Sequence, residues 1–448
     1  MDFISNKEPQ NREMRRALGI QNVEELFCAI PDHLRIPPPF KDDGLSEYEG
    51  LQWMEALAEK NHFSQYESYL GAGAYQHHVP ALVETLCSKS EFLTSYTPYQ
   101  AEASQGMLQA IFEFQTALCG LTGLDVANAS LYDGASACAE ALLMAIRATQ
   151  RSKVVVAQQL HPHYRGVIEQ YLRGIEGVSI TWAPYLSNGC IDKKALKTLC
   201  DQDTAALLLQ YPNFFGIVED IKGCQEIAKA TGALTVICAN PLVYALYASA
   251  AELQADIAVG DCQPFGISLQ YGGPYVGYMA CRQELLRQLP GRIVGETVDA
   301  QGKRGFVLTL QTREQHIRRE KATSNICTNQ ALAALASLVH MLWYGKGLHA
   351  LALTNYQRAA YLRSQLQPYT LPTPLSDSLI LNEFVIRLPT PLSDAVKQFR
   401  AQGIEPGVDL GTYYPELQEH LLVAVTEIKS KQQLDRYVAV CREIVQRS

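Results

Sequence analysis

The chain has 448 residues, 47% hydrophobic and 19% charged, with a net charge of −8. A chain of this size can bury a large core in more than one domain, and its acidic balance gives a nucleic-acid role no electrostatic support. No apolar run approaches the roughly 18 residues that span a bilayer; the longest candidate, Ala331–Tyr344, carries Ser337 and His340.

The start, MDFISNKEPQ, lacks a basic segment followed by an apolar one, so no secretory signal is expected. The 12 cysteines are scattered without a CxxC pair, and Cys119, Cys138 and Cys238 sit in apolar surroundings. Such cysteines behave as small hydrophobes. They point to a reducing cytoplasm and away from a disulfide framework or a zinc site.

Residues 1–70 read as an N-terminal arm, with helical patches at Asn11–Leu18 and Val23–Ile30, the latter stopped by Pro31. A stiff Pro37-Pro38-Pro39 follows. Residues 71–325 read as a large domain in which strands and helices alternate. Short aliphatic runs predict strands at Lys153–Ala157, Val178–Ala183, Ala205–Gln210, Leu234–Cys238, Asp256–Val259 and Val276–Ala280. Amphipathic stretches predict helices at Gly106–Leu121, Ser136–Ala148, His163–Arg173, Lys193–Leu199 and Asp220–Ala230. Alternation of this kind means βαβ units and a mostly parallel sheet with helices on both faces, an α/β fold.

Residues 326–448 read as a helical connection and a small α+β domain. The helices are Thr328–Tyr344 and Asn355–Gln367. Strands follow at Ile380–Leu388 and Leu421–Thr426. Ser393 is expected to cap a helix over Ser393–Gln402, and Ser430 with Gln433 forms the capping box of the last one.

Several segments carry candidate chemistry. In Gly71-Ala-Gly-Ala-Tyr75 the glycines permit close backbone approach, without the strand-then-helix context of a dinucleotide site. In Ser95-Tyr-Thr-Pro-Tyr-Gln100, Tyr96, Tyr99 and Gln100 could line a cleft for a small polar substrate or pack as a polar turn. In Asp133-Gly-Ala-Ser136 the turn opens a helix, where free N–H groups and the dipole favour an anion; simple N-capping by Asp133 or Ser136 is the alternative. Gln210-Tyr-Pro-Asn-Phe-Phe-Gly216 ends a strand, where α/β sheets present their ligand crevice. In Arg313–Thr328 the cations Arg313, His316, Arg318, Arg319 and Lys321 precede Thr323-Ser324-Asn325. That pattern suits a carboxylate or phosphate, and Thr328 is placed to cap the next helix.

The segments SYTPYQAEASQG, NASLYDGASACAEA, QYGGPYVGY and PGRIVGETVDAQGKRGFVLTLQTREQHIRREKATSNICTNQAL together resemble the P-protein of the glycine cleavage system, over Gly71 to about Tyr344. The likeness is to the N-terminal half, which in some bacteria is a separate chain, subunit 1. It implies the pyridoxal phosphate (PLP) aminotransferase-like fold, type I. It also implies a heteromer with a PLP-bearing subunit 2, in which glycine loses CO2 and its aminomethyl group passes to the lipoyl group of H-protein. PLP enzymes hold the cofactor through a lysine on the loop after a core strand, yet Asp256–Tyr278 contains none; the nearest are Lys229 and Lys303. Laid over the other half's DVCHLNLHKTF segment, the lysine falls on Pro264 and the preceding histidine on Gln263. The aspartate that would serve the ring nitrogen falls on Ile237.

The resemblance therefore implies no nucleophile and no metal in this chain, with Ser136, Ile237 and Pro264 as vestigial cofactor positions. PLP is expected on the partner subunit. Tyr96, Tyr99, Gln100, Arg318, Arg319, Lys321, Thr323, Ser324 and Asn325 are expected at the shared cleft or subunit interface. Two alternatives stay open: a non-catalytic scaffold for the partner, and an independent PLP enzyme with an atypical lysine such as Lys222 or Lys229.

Overall fold

The computed structural model describes residues 6–36, 44–376 and 378–447; the Pro37–Pro39 stretch lies outside them. Contacts divide the chain into two units, Met1–Ser64 and Gln65–Ser448. In the first unit, a helix over Glu8–Leu18 carries Pro9 in its first turn and ends on Gly19 at φ 70, a left-handed stop that glycine adopts without strain. The expected helix at Val23–Ile30 is a 3-10 turn over Val23–Phe27, capped by Asn22 and Glu25. A further helix over Glu47–Ala58 carries the Ser46/Glu49 capping box, a start signal that the arm reading passed over.

The second unit is built on a seven-stranded sheet. Its strands are β1 (Val126–Ala127), β2 (Lys153–Ala157), β3 (Ser179–Ala183), β4 (Thr204–Tyr211), β5 (Leu234–Ala239), β6 (Ile257–Asp261) and β7 (Gly277–Cys281). They lie in the order β1-β7-β6-β5-β4-β2-β3. All neighbouring pairs are parallel except β1–β7 and β6–β7.

Alternate residues of each strand feed two apolar layers. Val155, Leu207, Leu209, Ile237 and Ala258 pack with Phe114, Leu118, Ile221, Ala228 and Leu338, from the helices Gln105–Thr122, Ile221–Thr231 and Ala331–Tyr344. Val154, Val156, Leu208, Val236 and Val259 pack with Ala141, Leu142 and Ile168, from the helices Gly134–Thr149 and Pro162–Leu172. Burial on both faces explains why these strands read as continuous aliphatic runs rather than alternating ones.

Beyond the sheet, a hairpin pairs β8 (Ile293–Val298) with β9 (Arg304–Thr309). A small antiparallel sheet follows, from β10 (Glu383–Arg387), β11 (Val408–Asp409) and β12 (His420–Ala424), in the order β10-β12-β11. One of its faces packs Phe384, Ile386 and Val423 against Leu362, Phe399 and Tyr437. The other puts Val385 and Leu422 on Phe214, Phe215 and Tyr414, which seats the small sheet beside the loop that follows β4.

Three cap or start assignments differ from expectation. The helix placed at Ser393 starts at Leu392 behind Pro391, whose fixed φ already suits a helix entry. Thr328 caps nothing, since its helix starts at Ala331 behind Gln330. The helix placed at Asn355 starts at Leu348. Ser430 and Gln433 do form the reciprocal box, Ser430 N–H donating to Gln433 and Gln433 N–H to Ser430.

Candidate functional site

The carboxyl ends of β4, β5 and β6 converge, as ligand crevices of open α/β sheets do. Gln210, Pro212, Cys238, Ala239, Asn240, Asp261 and Pro264 meet Gly73, Tyr75, His161, Tyr164 and Glu383 around a cavity of about 40 Å³. An open depression of about 500 Å³ adjoins it, sharing Gly73, His161, Tyr164 and Asp261 and adding Tyr132, Asp133, His163 and Tyr275. No lysine lines either space.

The chain fills this crevice with its own hydrogen bonds. At the Gly-Ala-Ser turn, Gly134 N–H donates to the Asp261 carboxylate at 3.1 Å and Ser136 N–H to Asp133 at 2.7 Å. Tyr164 lies so close to the turn that a Cβ on Gly134 would stand 2.4 Å from its hydroxyl. Asp261 also accepts from Gln263 N–H at 2.8 Å. Gln263 in turn clamps the glycine-rich loop: its Oε1 accepts from Tyr75 N–H, and its Nε2 donates to the carbonyls of Tyr75 and Ile267. Across the cavity, Glu383 accepts from Ala72 N–H at 2.7 Å and from the Tyr75 hydroxyl at 2.6 Å.

These groups are set by burial. Asp261 is pushed up to about 7, with neighbouring Asp133 adding to a shift that hydrogen bonds from Gln263 and Gly134 oppose. Glu383 is likewise pushed up to about 7 by burial, against the hydrogen bonds from Tyr75 and Ala72. His161 is held down at about 4 by burial, so its ring is neutral; Nε2–H donates to the Ala72 carbonyl at 2.7 Å and Nδ1 accepts from His163 N–H.

Pyridoxal phosphate does not fit these residues. The two N–H groups that would hold a phosphate already serve carboxylates of the chain, and an added anion there would face Asp133 and Asp261. At about 10–15 Å³ per water, the enclosed cavity of 40 Å³ holds about three waters, and the adjoining depression of about 500 Å³ is lined by Asp133 and Asp261 and by no lysine or arginine. Pro264 lines the enclosed cavity, with no side-chain nitrogen to form an imine. Ile237 is fully buried in the apolar layer with Leu209, Ala258 and Phe265, while the adjoining Cys238, Ala239 and Asn240 form the wall. Lys229 lines a different depression, with Leu234 and Asp256 at the opposite ends of the strands. Lys222 is exposed on its helix.

A second polar cluster joins the tyrosine segment to the basic one. The Arg292 guanidinium lies over the Tyr99 ring, 3.9 Å from its centroid, and pairs with Glu314 at 3.3 Å; both side chains are about one-tenth exposed. Arg292 also donates to the Cys327 carbonyl. Arg313 turns inward and donates to the carbonyls of Leu289 and Gly291, so this cation supports the chain rather than the surface. Cys327 N–H donates to the Tyr132 hydroxyl at 2.9 Å and Gln330 N–H to Ser130 at 3.0 Å, which bring the segment to the rim of the crevice. The Tyr99 hydroxyl, buried against the Asn329 backbone, is raised by that burial.

The structure thus gathers some expected site residues and separates others. Tyr99 and the 323–329 segment meet. Tyr96 is 73% exposed and Gln100 is exposed. Arg318, Arg319 and Lys321 lie on the surface, with Arg318 donating to the Thr312 carbonyl and Arg319 at φ 52. Thr323 N–H donates to the Arg313 carbonyl. Ser324 accepts from Ile326 N–H and hydrogen-bonds Glu140 of the helix behind the Gly-Ala-Ser turn. Asn325 is exposed. Sequence reasoning missed Asp261, Tyr164, Glu383, Arg292 and Glu314. An aspartate closing an aliphatic strand, and an arginine just after Pro290-Gly291, were the available signals. Among the described residues no group of His, Cys, Asp and Glu could hold a metal, and no helix is long and apolar enough to cross a membrane.

Comparison with known proteins fits this geometry. The family model of the glycine cleavage system P-protein matches residues 1–441. The probable glycine dehydrogenase (decarboxylating) subunit 1 of Protochlamydia amoebophila (strain UWE25) is 62% identical, over 99% of this chain and all of that protein. The protein of the same description from Brevibacillus brevis is 47% identical, over 97% of this chain and 96% of its own length. A crystal structure of glycine decarboxylase (P-protein) of the glycine cleavage system, in inhibitor-bound form, superposes with a TM-score of 0.86. It is 38% identical, over 99% of this chain and all of that one. A NifS-like protein, 12% identical over 86% of this chain and all of its own, superposes with a TM-score of 0.64 and shares the fold alone. The fold is the α/β fold of PLP-dependent type I enzymes, and the chain belongs to the glycine cleavage system P-protein family.

Proposed function

We propose that this chain is one subunit of glycine dehydrogenase (aminomethyl-transferring), completing an active site whose pyridoxal phosphate is held covalently by a partner chain, subunit 2. With that partner it decarboxylates glycine and passes the aminomethyl group to the lipoyl group of H-protein. The cofactor supplies the electron sink. This chain supplies walls, orientation and exclusion of water. The observation that carries the reading is the crevice itself. In a chain similar to a glycine dehydrogenase subunit over its whole length, the two N–H groups of the cofactor turn are taken by Asp133 and Asp261.

Tyr96, Tyr99 and Gln100 face the shared cleft in this reading, and Arg318, Arg319, Lys321 and the Thr323–Asn325 segment shape its entrance or the subunit interface. The enzyme works in the cytoplasm as a heterodimer or a dimer of heterodimers. The test is glycine-dependent CO2 exchange by the partner chain with and without this one. Exchange is expected to need both chains; a partner that is fully active alone would overturn the shared site and favour a scaffold.

A further inference from the structure

The Arg292–Glu314 pair stands outside the crevice, yet it meets every segment that brings Tyr99 to the rim. The Arg292 guanidinium covers one face of the Tyr99 ring at 3.9 Å. Its opposite charge, Glu314, lies 3.3 Å away, on the stretch whose preceding residue, Arg313, anchors the backbone at Leu289 and Gly291. A third bond runs from Arg292 to the Cys327 carbonyl, and Ala129 N–H donates to the Arg292 carbonyl at 2.8 Å. One side chain thus fixes the tyrosine loop, the 313–314 stretch and the 327–329 turn together.

The cluster is built but not self-satisfied. Glu314 Oε1 and both amide atoms of Asn329 are buried without a hydrogen-bond partner in this chain, and Asn329 is only 7% exposed; the Tyr99 hydroxyl meets the Asn329 backbone. Buried polar atoms are normally paired. Several unpaired atoms in one patch mark a place that awaits a group from outside the chain.

We propose that Arg292 and Glu314 are positioning residues of the shared site, holding the Tyr99 ring and the Cys327–Asn329 turn that its hydroxyl touches in the one arrangement that presents the Asn329 amide to the partner-held site. This rests on the shared-site reading above. A planar guanidinium suits the role, because it stacks on a ring face and donates at its edge at once, which an ammonium does not.

The test uses the assembled two-chain enzyme with Arg292→Gln, Arg292→Lys, Glu314→Gln and Tyr99→Phe in this chain. Misplacement of a positioned group by about 1 Å costs on the order of 100-fold in rate. Arg292→Gln is therefore expected to lower kcat for glycine-dependent CO2 exchange by roughly 10- to 100-fold, with KM and the affinity between the chains little changed. Arg292→Lys recovers part of the rate. Arg292→Gln combined with Tyr99→Phe loses less than the product of the two single losses, because both act through one ring. Full activity of Arg292→Gln in an enzyme that needs both chains overturns this inference alone. So does a loss tracked entirely by weaker assembly, or a double variant whose losses multiply. If Arg292→Gln does not fold, Glu314→Gln carries the same test, and its normal kcat overturns the proposal. A partner fully active by itself overturns the shared site as well.

Discussion

The crevice and the Tyr99 cluster sit on the same unit and treat their polar groups in opposite ways. In the crevice, Asp261, Gln263, Tyr75 and Glu383 form a chain of hydrogen bonds, with Asp133 and Asp261 taking the Ser136 and Gly134 N–H groups, and the enclosed space among them is about 40 Å³. Around Arg292 the segments are just as firmly tied, but Glu314 Oε1 and the Asn329 amide are left over. A closed network rigidifies a fold, while an unpaired buried polar group is costly until it gains a partner. On the shared-site reading proposed above, the contrast is that of a structural crevice and a rim left open for the partner.

The largest expected effect breaks the closed side. Glu383→Ala leaves Ala72 N–H and the Tyr75 hydroxyl buried without their acceptor, a loss of roughly 2–5 kcal/mol that thermal unfolding would register as a markedly lower Tm. Glu383→Gln tests the charge instead. Burial raises Glu383 and Asp261 to about 7, so their contribution to stability is full below the unfolded carboxyl range and is lost as pH rises through about 7. Thermal melts between about pH 5 and pH 8 are expected to fall with rising pH, and Glu383→Gln to flatten part of that slope.

Glu427 works in the opposite sense. Burial alone would raise its carboxyl, but the His77 ring at 2.8 Å and the His78 N–H hold it down at about 2. Its contribution is present above the unfolded carboxyl pKa and is lost as pH falls toward 2. Glu427→Gln should therefore reduce stability at neutral pH and leave the variant less sensitive to acid, as followed by circular dichroism.

A smaller effect is expected on the open side. Reversing charge at Arg318 and Arg319, both exposed, is expected to lower turnover with lipoylated H-protein by about tenfold, more at low salt. Turnover with free lipoate should persist. Equal loss of both substrates would make the stretch structural and narrow the open region to Tyr99 and Asn329.

Much of the sheet was legible in the sequence because strands buried on both faces are continuous aliphatic runs. Lys153–Ala157 is an example, found at its expected limits. The hairpin over Ile293–Thr309 was not read: its strands carry Glu296, Thr297 and Arg304 around the Asp299-Ala-Gln-Gly302 turn, and its role appears only against the Gln105–Thr122 helix, where Gln115 bonds Val294 through both N–H and C=O. The replacement expected at Pro264 came from overlay on the other half of the family. What fills the crevice could not be read that way. Asp261 meets Gly134, and Arg292 meets Tyr99, only after distant stretches of chain have folded together. Arg313, read with Arg318, Arg319 and Lys321 as one anion-binding stretch, is an internal brace for the same reason.

The central claim is that the cofactor of this enzyme belongs to the other chain, and borohydride reduction of the assembled enzyme tests it most directly. Reduction fixes PLP to the lysine that holds it, and intact-mass measurement then reads which chain has gained the pyridoxyl group. The gain is expected wholly on the partner, with this chain unchanged; a pyridoxyl group on Lys222, Lys229 or any other lysine of this chain would contradict it.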